Sequence, residues 1–174
     1  MMKEELLILV DENDNVTGYM DKAGAHVKGL LHRAVSVFVF NSKGEWLLQR
    51  RADGKYHSGG LWTNTCCSHP MPGELAGDAA MRRLMEEMGM QCELNKLFTF
   101  IYRAEFGNGL TEHELDHVFA GISDELPVIN PEEASEYKYV NFCDLEKDVE
   151  MHPDSYTVWF KKIFRQVRSS FSPA

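Results

Sequence analysis

Gly73-Glu74-Leu75-Ala76-Gly77-Asp78-Ala79-Ala80-Met81-Arg82-Arg83-Leu84-Met85-Glu86-Glu87-Met88-Gly89-Met90 decides the fold, because here the hydrophobic period of the chain changes. Met81, Leu84, Met85 and Met88 recur at helical spacing, and Arg82, Arg83, Glu86 and Glu87 fall off that stripe. The pattern predicts a helix over 74–88 whose Met and Leu stripe faces a core. Gly89 ends it as the residue free to turn left-handed. On either side the chain reads as strands. Two apolar runs, Leu6–Val10 and 16–20, flank the turn-rich Asp11-Glu12-Asn13-Asp14-Asn15 and predict a hairpin. A β-branched and aromatic run, 34–40, is followed by Asn41-Ser42-Lys43-Gly44 and then 45–49, a second hairpin. Beyond the helix, 97–106 and 112–122 flank Gly107-Asn108-Gly109, and 137–142 reads as a short strand. Asp154 is placed to cap a last helix through about residue 168, with Val158, Ile163 and Val167 facing inward. Strands before, around and after one central helix predict a mixed α/β fold of α+β character, not a doubly wound parallel one.

The 174 residues suffice for one domain with a core, and none of the sequence reads as a repeat, linker or low-complexity tract. Hydrophobic residues at 44% and charged residues at 26% place the chain among ordinary globular proteins. Apolar runs fall short of the roughly 18 residues that span a bilayer. Leu6–Val10 turns acidic too soon for a secretory signal, so a cytoplasmic protein with no membrane partner is expected. The net charge of −9 argues against a general nucleic-acid binder. It requires that any anionic ligand meet a local basic pocket or a divalent metal. Cys66, Cys67, Cys92 and Cys143 include no CxxC pair and are expected to be free thiols.

Glu112 and Glu114 lie two apart in a predicted strand, so both carboxylates share one face and His113 takes the other. Like charges on one sheet face repel unless they are solvated or bound to a cation. With His26, His32 and His69, each beside apolar sequence, they form a donor set suited to Mn²⁺, Mg²⁺ or Zn²⁺. A solvated acidic face with scattered histidines is the competing interpretation. In Trp62-Thr63-Asn64-Thr65-Cys66-Cys67-Ser68-His69-Pro70 the adjacent cysteines point apart in a strand, so at most one enters a given pocket. Either is a candidate acid or base, or a small buried hydrophobe. Lys22, Arg50, Arg51, Lys55, Arg82 and Arg83 are candidates to hold a diphosphate, or surface ion-pair partners. Trp159 is either core packing or an aromatic face over a cationic centre.

The 73–90 segment resembles the Nudix box, G-x5-E-x7-R-E-U-x-E-E-x-G-U, where U is a bulky aliphatic. Leu84-Met85-Glu86-Glu87-Met88-Gly89-Met90 fits its end. Ala79 stands where the first Glu belongs, and Arg83 where the Glu of the Arg-Glu pair belongs. This degenerate box is similar to that of the type I isopentenyl diphosphate isomerases. So are Leu31-His32-Arg33-Ala34-Val35-Ser36, the 61–70 cysteine motif and Thr111-Glu112-His113-Glu114-Leu115-Asp116-His117, a resemblance running over about 6–164. It implies a Nudix-type fold, a mixed sheet sandwiched by helices, over one domain of 1–174 with a tail from about 169. It implies interconversion of isopentenyl and dimethylallyl diphosphate through a tertiary carbocation, by a monomer or homodimer. By the same resemblance His26, His32, His69, Glu112 and Glu114 match the metal ligands, and Glu87 a ligand of the Mg²⁺ that arrives with the diphosphate. Cys67 and Glu114 match the catalytic pair, Tyr102 the supporting tyrosine and Trp159 the active-site tryptophan. Lys22, Arg51, Lys55 and Arg83 match the diphosphate contacts. Two departures are Gly59-Gly60 where the family has Pro-Gly, and Val158 where a Pro often precedes the tryptophan. The alternatives are a Nudix hydrolase of a nucleoside or other diphosphate, favoured by Glu86-Glu87, and a non-catalytic metal-binding domain.

Overall fold

A computed structural model describes residues 5–173. The chain runs β1 (Leu6–Val10), β2 (Val16–Asp21), α1 (Lys22–Lys28), β3 (His32–Phe40), β4 (Trp46–Arg51), β5 (Trp62–Thr63) and β6 (Cys66–Ser68). It continues through α2 (Ala76–Met88), β7 (Asn95–Glu105), β8 (Thr111–Ile122), β9 (Ala134–Val140), α3 (Phe142–Met151) and α4 (Val158–Ser170). Both predicted hairpins form, and the strands predicted around Gly107–Gly109 pair antiparallel as a third. In the first, the Asp11 carboxylate accepts from the backbone N–H of Asn13 and of Asn15, both at 2.9 Å, which closes the turn locally.

The strands form one mixed sheet. β3 is its hub, running antiparallel to β1, β4 and β6 and parallel to β8. Its side chains are buried along nearly its whole length, which explains the continuous Val and Phe run. Val35, Val37 and Val39 meet Ala79, Ala80, Leu84 and Met88 of α2. On the other face Phe38 and Phe40 join Phe160, Ile163 and Phe164 of α4, with Phe38 and Phe160 stacked at 6.2 Å. Helices therefore cover both faces, and both contribute to the burial that stabilises the sheet. Among the described residues no helix is long and apolar enough to cross a membrane.

The structure corrects several sequence expectations. α2 begins at Ala76, and Glu74 instead accepts from the Met71 N–H and pairs with Arg82. Its buried stripe is Ala79, Ala80, Leu84, Glu87 and Met88, whereas Met81 and Met85 are exposed at 44% and 47%. The small alanines bring the helix close to the valines, while methionine hydrophobicity pointed to a face turned toward solvent. Gly89 does take the left-handed conformation, at φ 61°, and a Cβ there would meet Val128 O at 2.7 Å.

The strand expected at 137–142 ends at Val140, because the Asn141 side chain accepts from the Asp144 N–H and caps α3. α1, α3, β5 and β6 were not anticipated. Asp154 sits in a 3-10 turn rather than capping α4, which starts after Thr157. Ile163 and Val167 are buried, and Val158 is half-buried. α4 runs through Ser170 and Phe171 stacks on Phe40 at 5.2 Å, so the tail begins later than about 169. Met1 to Glu4 and Ala174 lie outside the described residues.

The corrected α2 face has a measurable consequence. Leu84→Ala should lower the unfolding free energy by about 2–5 kcal/mol. Met85→Ala should change it by less than about 0.5 kcal/mol. Urea midpoints at matched slopes distinguish this from the Met-stripe packing, which makes the two losses comparable.

Candidate active site

The site begins with strand register. Parallel pairing of β3 with β8 sets His32 opposite Glu114, and alternation along β8 brings Glu112 to the same face. His113 points the other way, its Nδ1 at 3.0 Å from Gly29 O. His69 directly follows β6, which pairs with β3. His26 is delivered by α1, a short helix capped by the Asp21 carboxylate and ended by Gly29 at φ 62°. His26 and His32 thus sit on a helix and a strand.

His26 Nε2 lies 3.2 Å from Glu112 Oε1, His32 Nε2 3.7 Å from Glu112 Oε2, and His69 Nε2 3.0 Å from Glu114 Oε1. Donor atoms of His26, His32, His69 and Glu112 lie within 4.8 Å of one another. Glu114 Oε1 borders this group, 3.5 Å from His32 Nε2. His26 Nε2, His32 Nε2 and Glu112 Oε2 are buried without a hydrogen-bond partner among the described residues. Such orphaned atoms are costly in a dry interior unless something binds them. His32 Nδ1 faces Leu30 O at 2.9 Å, which fixes its tautomer and leaves the Nε2 lone pair free. Donor chemistry and orphaned atoms both fit a divalent ion. Burial would push His69 down, but Glu114 and Glu5 hold its pKa up at about 9, a sign of the negative potential at this point.

A cavity of about 640 Å³ opens beside these residues. Cys67, Glu114, Tyr102 and Trp159 line it together with Lys22, Arg51, Lys55, Arg83 and Glu87. Cys66 points away, fully buried under α2. Burial pushes the Cys67 thiol up to about 12, so it is a neutral acid at physiological pH. Tyr102 donates to Glu114 Oε2 at 2.7 Å. Burial would raise Glu114, but the neighbouring His32 and His69 imidazoles hold it well below the usual carboxylate range.

The cations of the lining meet acids or the indole. Lys22 pairs with Glu5 at 3.2 Å and Lys55 with Glu133. Arg83 reaches Glu86 and Glu87 at 2.7 Å each and Glu133 at 3.1 Å. Arg51 lies 5.2 Å over the Trp159 ring and donates to His57 O at 3.2 Å. Burial pushes the Glu87 carboxyl up despite Arg83 and Gln49.

Sequence reasoning missed Glu5, His57 and Glu133, which line the same cavity. His57 lies in the loop between β4 and β5, and Glu133 just before β9; neither shows a periodicity or spacing that marks it.

The NUDIX domain family matches residues 30–160. The chain is 55% identical over 166 residues to "Isopentenyl-diphosphate Delta-isomerase 2" of Aromatoleum aromaticum, covering 95% of this chain and 88% of that protein. It is 56% identical over 160 residues to the protein of the same name from Photorhabdus laumondii, covering 92% and 90%. The chain belongs to the isopentenyl-diphosphate Delta-isomerases. Their Nudix architecture is seen in the fold itself. The crystal structure of a MutT NUDIX hydrolase from Burkholderia pseudomallei superposes at a TM-score of 0.64 over 79% of this chain and 98% of that one, at 19% identity. The matched NUDIX region leaves out the first hairpin and α1. His26 lies in that preceding segment, whose β1 pairs with β3 in the same sheet.

Removing a donor tests the centre. Glu112→Gln and His32→Ala should each weaken Mn²⁺ binding at least about 10-fold, since even outer partners of a ligand are worth that much. Cys67→Ala should leave metal content unchanged. Elemental analysis after dialysis against a weak chelator reads both, and an ion lost with Cys67 would point to thiolate ligation instead.

Proposed function

We propose that this isomerase interconverts isopentenyl and dimethylallyl diphosphate with Cys67 and Glu114 as its acid and base. The observation that carries the assignment is one cavity holding a neutral thiol, a carboxylate steadied by Tyr102, and an indole face. The substrate alkene is unactivated, so a proton must first add to its terminal carbon, C4. This leaves a tertiary carbocation at C3, and loss of a proton from C2 gives the allylic isomer. One proton enters and one leaves, with no net change of charge. Cys67 and Glu114 exchange those protons. Trp159 presents its π face to the cation, a contact worth about 2 kcal/mol or more when desolvated.

His26, His32, His69, Glu112 and Glu114 would hold a divalent ion, Mn²⁺, Mg²⁺ or Zn²⁺, whose charge shifts the acidity of the bound carboxylate. Lys22, Arg51, Lys55 and Arg83 hold the diphosphate, and Glu87 is the carboxylate for the Mg²⁺ that accompanies it. Arg51 and Arg83 both line the cavity, so a guanidinium donor of each can reach a phosphate oxygen there. Hydrolysis is disfavoured by the helix itself. Ala79 packs from α2 onto the sheet and contributes no carboxylate, while Arg83 ties down both Glu86 and Glu87.

Two experiments follow. Arg51→Ala should weaken substrate binding by about 1.5–3 kcal/mol, the cost of one charge-assisted contact. An unchanged KM would remove it from the diphosphate site. Cys67→Ala and Glu114→Gln should each slow isomerisation by at least about 10²-fold in folded protein. Cys66→Ala should retain most activity. Metal content must accompany the Glu114 measurement, because its loss could act through the ion. In deuterated water the wild type should place deuterium in the new methyl group of the allylic product. Wild-type turnover by Cys67→Ala would exclude the thiol, and phosphate release without a double-bond shift would establish a hydrolase.

A further inference from the structure

His57 belongs to neither the donor cluster nor the acid–base pair, yet it touches both neighbourhoods. Its side chain is 9% exposed, and its Nε2 lies against Glu112 Oε1. The other carboxylate oxygen, Oε2, is buried and without a partner among the described residues. The ring is held from several sides. It stacks on Phe106 at 4.8 Å and 19°, and stands edge-on to Trp159 at 5.8 Å and 88°. Its carbonyl accepts from Arg51. Its Nδ1 lies 3.2 Å from the Ser58 hydroxyl. A hydroxyl donating to Nδ1 leaves the ring proton on Nε2, where it faces the carboxylate.

The loop is built to hold this orientation. Ser58 adopts φ 55°, a left-handed backbone that a residue with a Cβ rarely takes. Gly59 packs so closely that a Cβ would come within 2.5 Å of Asp53 O. The donor group within 4.8 Å comprises His26, His32, His69 and Glu112, and His57 stands outside it. Its place is behind a ligand, where an N–H bonded to one carboxylate oxygen fixes the direction of the other.

We propose that His57 is a positioning residue of the divalent centre, donating Nε2–H to Glu112 so that the free carboxylate oxygen is aimed at the ion. The proposal rests on the centre described above, but it can fail while that centre stands. The same imidazole presses on Trp159, so the carboxylate that grips the ion and the indole that faces the substrate are aligned by one ring.

The test is Mn²⁺ affinity of the chelator-stripped full-length chain, read from the electron paramagnetic resonance of free Mn²⁺. It needs no turnover. His57→Ala and His57→Phe should each weaken binding about 10–100-fold, the usual effect of losing a partner behind a ligand. His57→Phe keeps a ring on Phe106 but has no N–H. His57→Gln carries an N–H without the ring and should restore most of the affinity. Ser58→Ala, which leaves the imidazole in place, should bind severalfold more weakly than wild type and carries the test if the His57 variants do not fold. Wild-type affinity in His57→Phe, or in Ser58→Ala where it must stand in, would overturn the proposal. So would a His57→Gln protein as weak as His57→Ala, because the ring's packing and not its N–H would then be responsible. A wild-type chain that takes no Mn²⁺ would overturn the centre and this role together, whereas isomerase activity would be judged separately.

Discussion

The parallel ladder between β3 and β8 is the constraint on which the site depends. It runs from His32 beside Glu114 to Phe40 beside Ile122, and one register serves both the core and the chemistry. A slip of one residue would turn Glu112 and Glu114 away and bring His113 and Leu115 to the site face. The slip is opposed by the same strands' apolar residues, because Val118 and Ala120 pack beneath α4 while Phe119 packs beneath α2. Burial of ordinary hydrophobic side chains thus fixes the positions of groups that would not assemble on their own.

Those groups are costly neighbours. Glu112, Glu114 and Asp116 line up on one strand face, all buried. Burial and the adjacent Glu114 push Asp116 well above the usual carboxylate range, even though Ser36 donates to it at 2.6 Å. Glu114 moves the opposite way because two imidazoles and a phenol are directed at it. One row of carboxyls therefore holds members of different acidity, set by their partners rather than by residue type. The imidazoles offset the negative charge, and their orphaned nitrogens give a divalent ion a place where its charge serves both carboxylates.

What the sequence made legible follows the range of the interactions involved. The hairpins were readable because Asp11, Asn41 and the Gly107–Gly109 segment act within a few residues of themselves. The existence and end of α2 were readable from its period and from Gly89. Its buried face was not, since Met81 and Met85 look more hydrophobic than the Ala79 and Ala80 that touch the sheet. β5 and β6 are too short to show an alternation, and α3 is defined by an Asn141 cap inside an apolar stretch. Among functional groups, residues set by strand alternation or by a recognisable motif were legible. His57 was not, because it reaches Glu112 only when the loop between β4 and β5 folds against the β7–β8 turn at Phe106. Glu133 is similar: it bridges Lys55 and Arg83 from a third segment.

Arg83 shows how one helix can keep a fold while abandoning the reaction common to it. A hydrolytic Nudix helix gathers carboxylates about a metal and directs water at phosphorus. In this chain the guanidinium pairs with that carboxylate surface, reaching both Glu86 and Glu87. On the proposed assignment the helix would hold the diphosphate instead of activating water. The metal donors lie elsewhere, drawn from α1, β3, β8 and the residue after β6. The separation matters for a carbocation, which any nearby water would capture. On the proposed assignment the reacting carbons would face sulfur, a carboxylate and aromatic rings, where excluding water protects the intermediate.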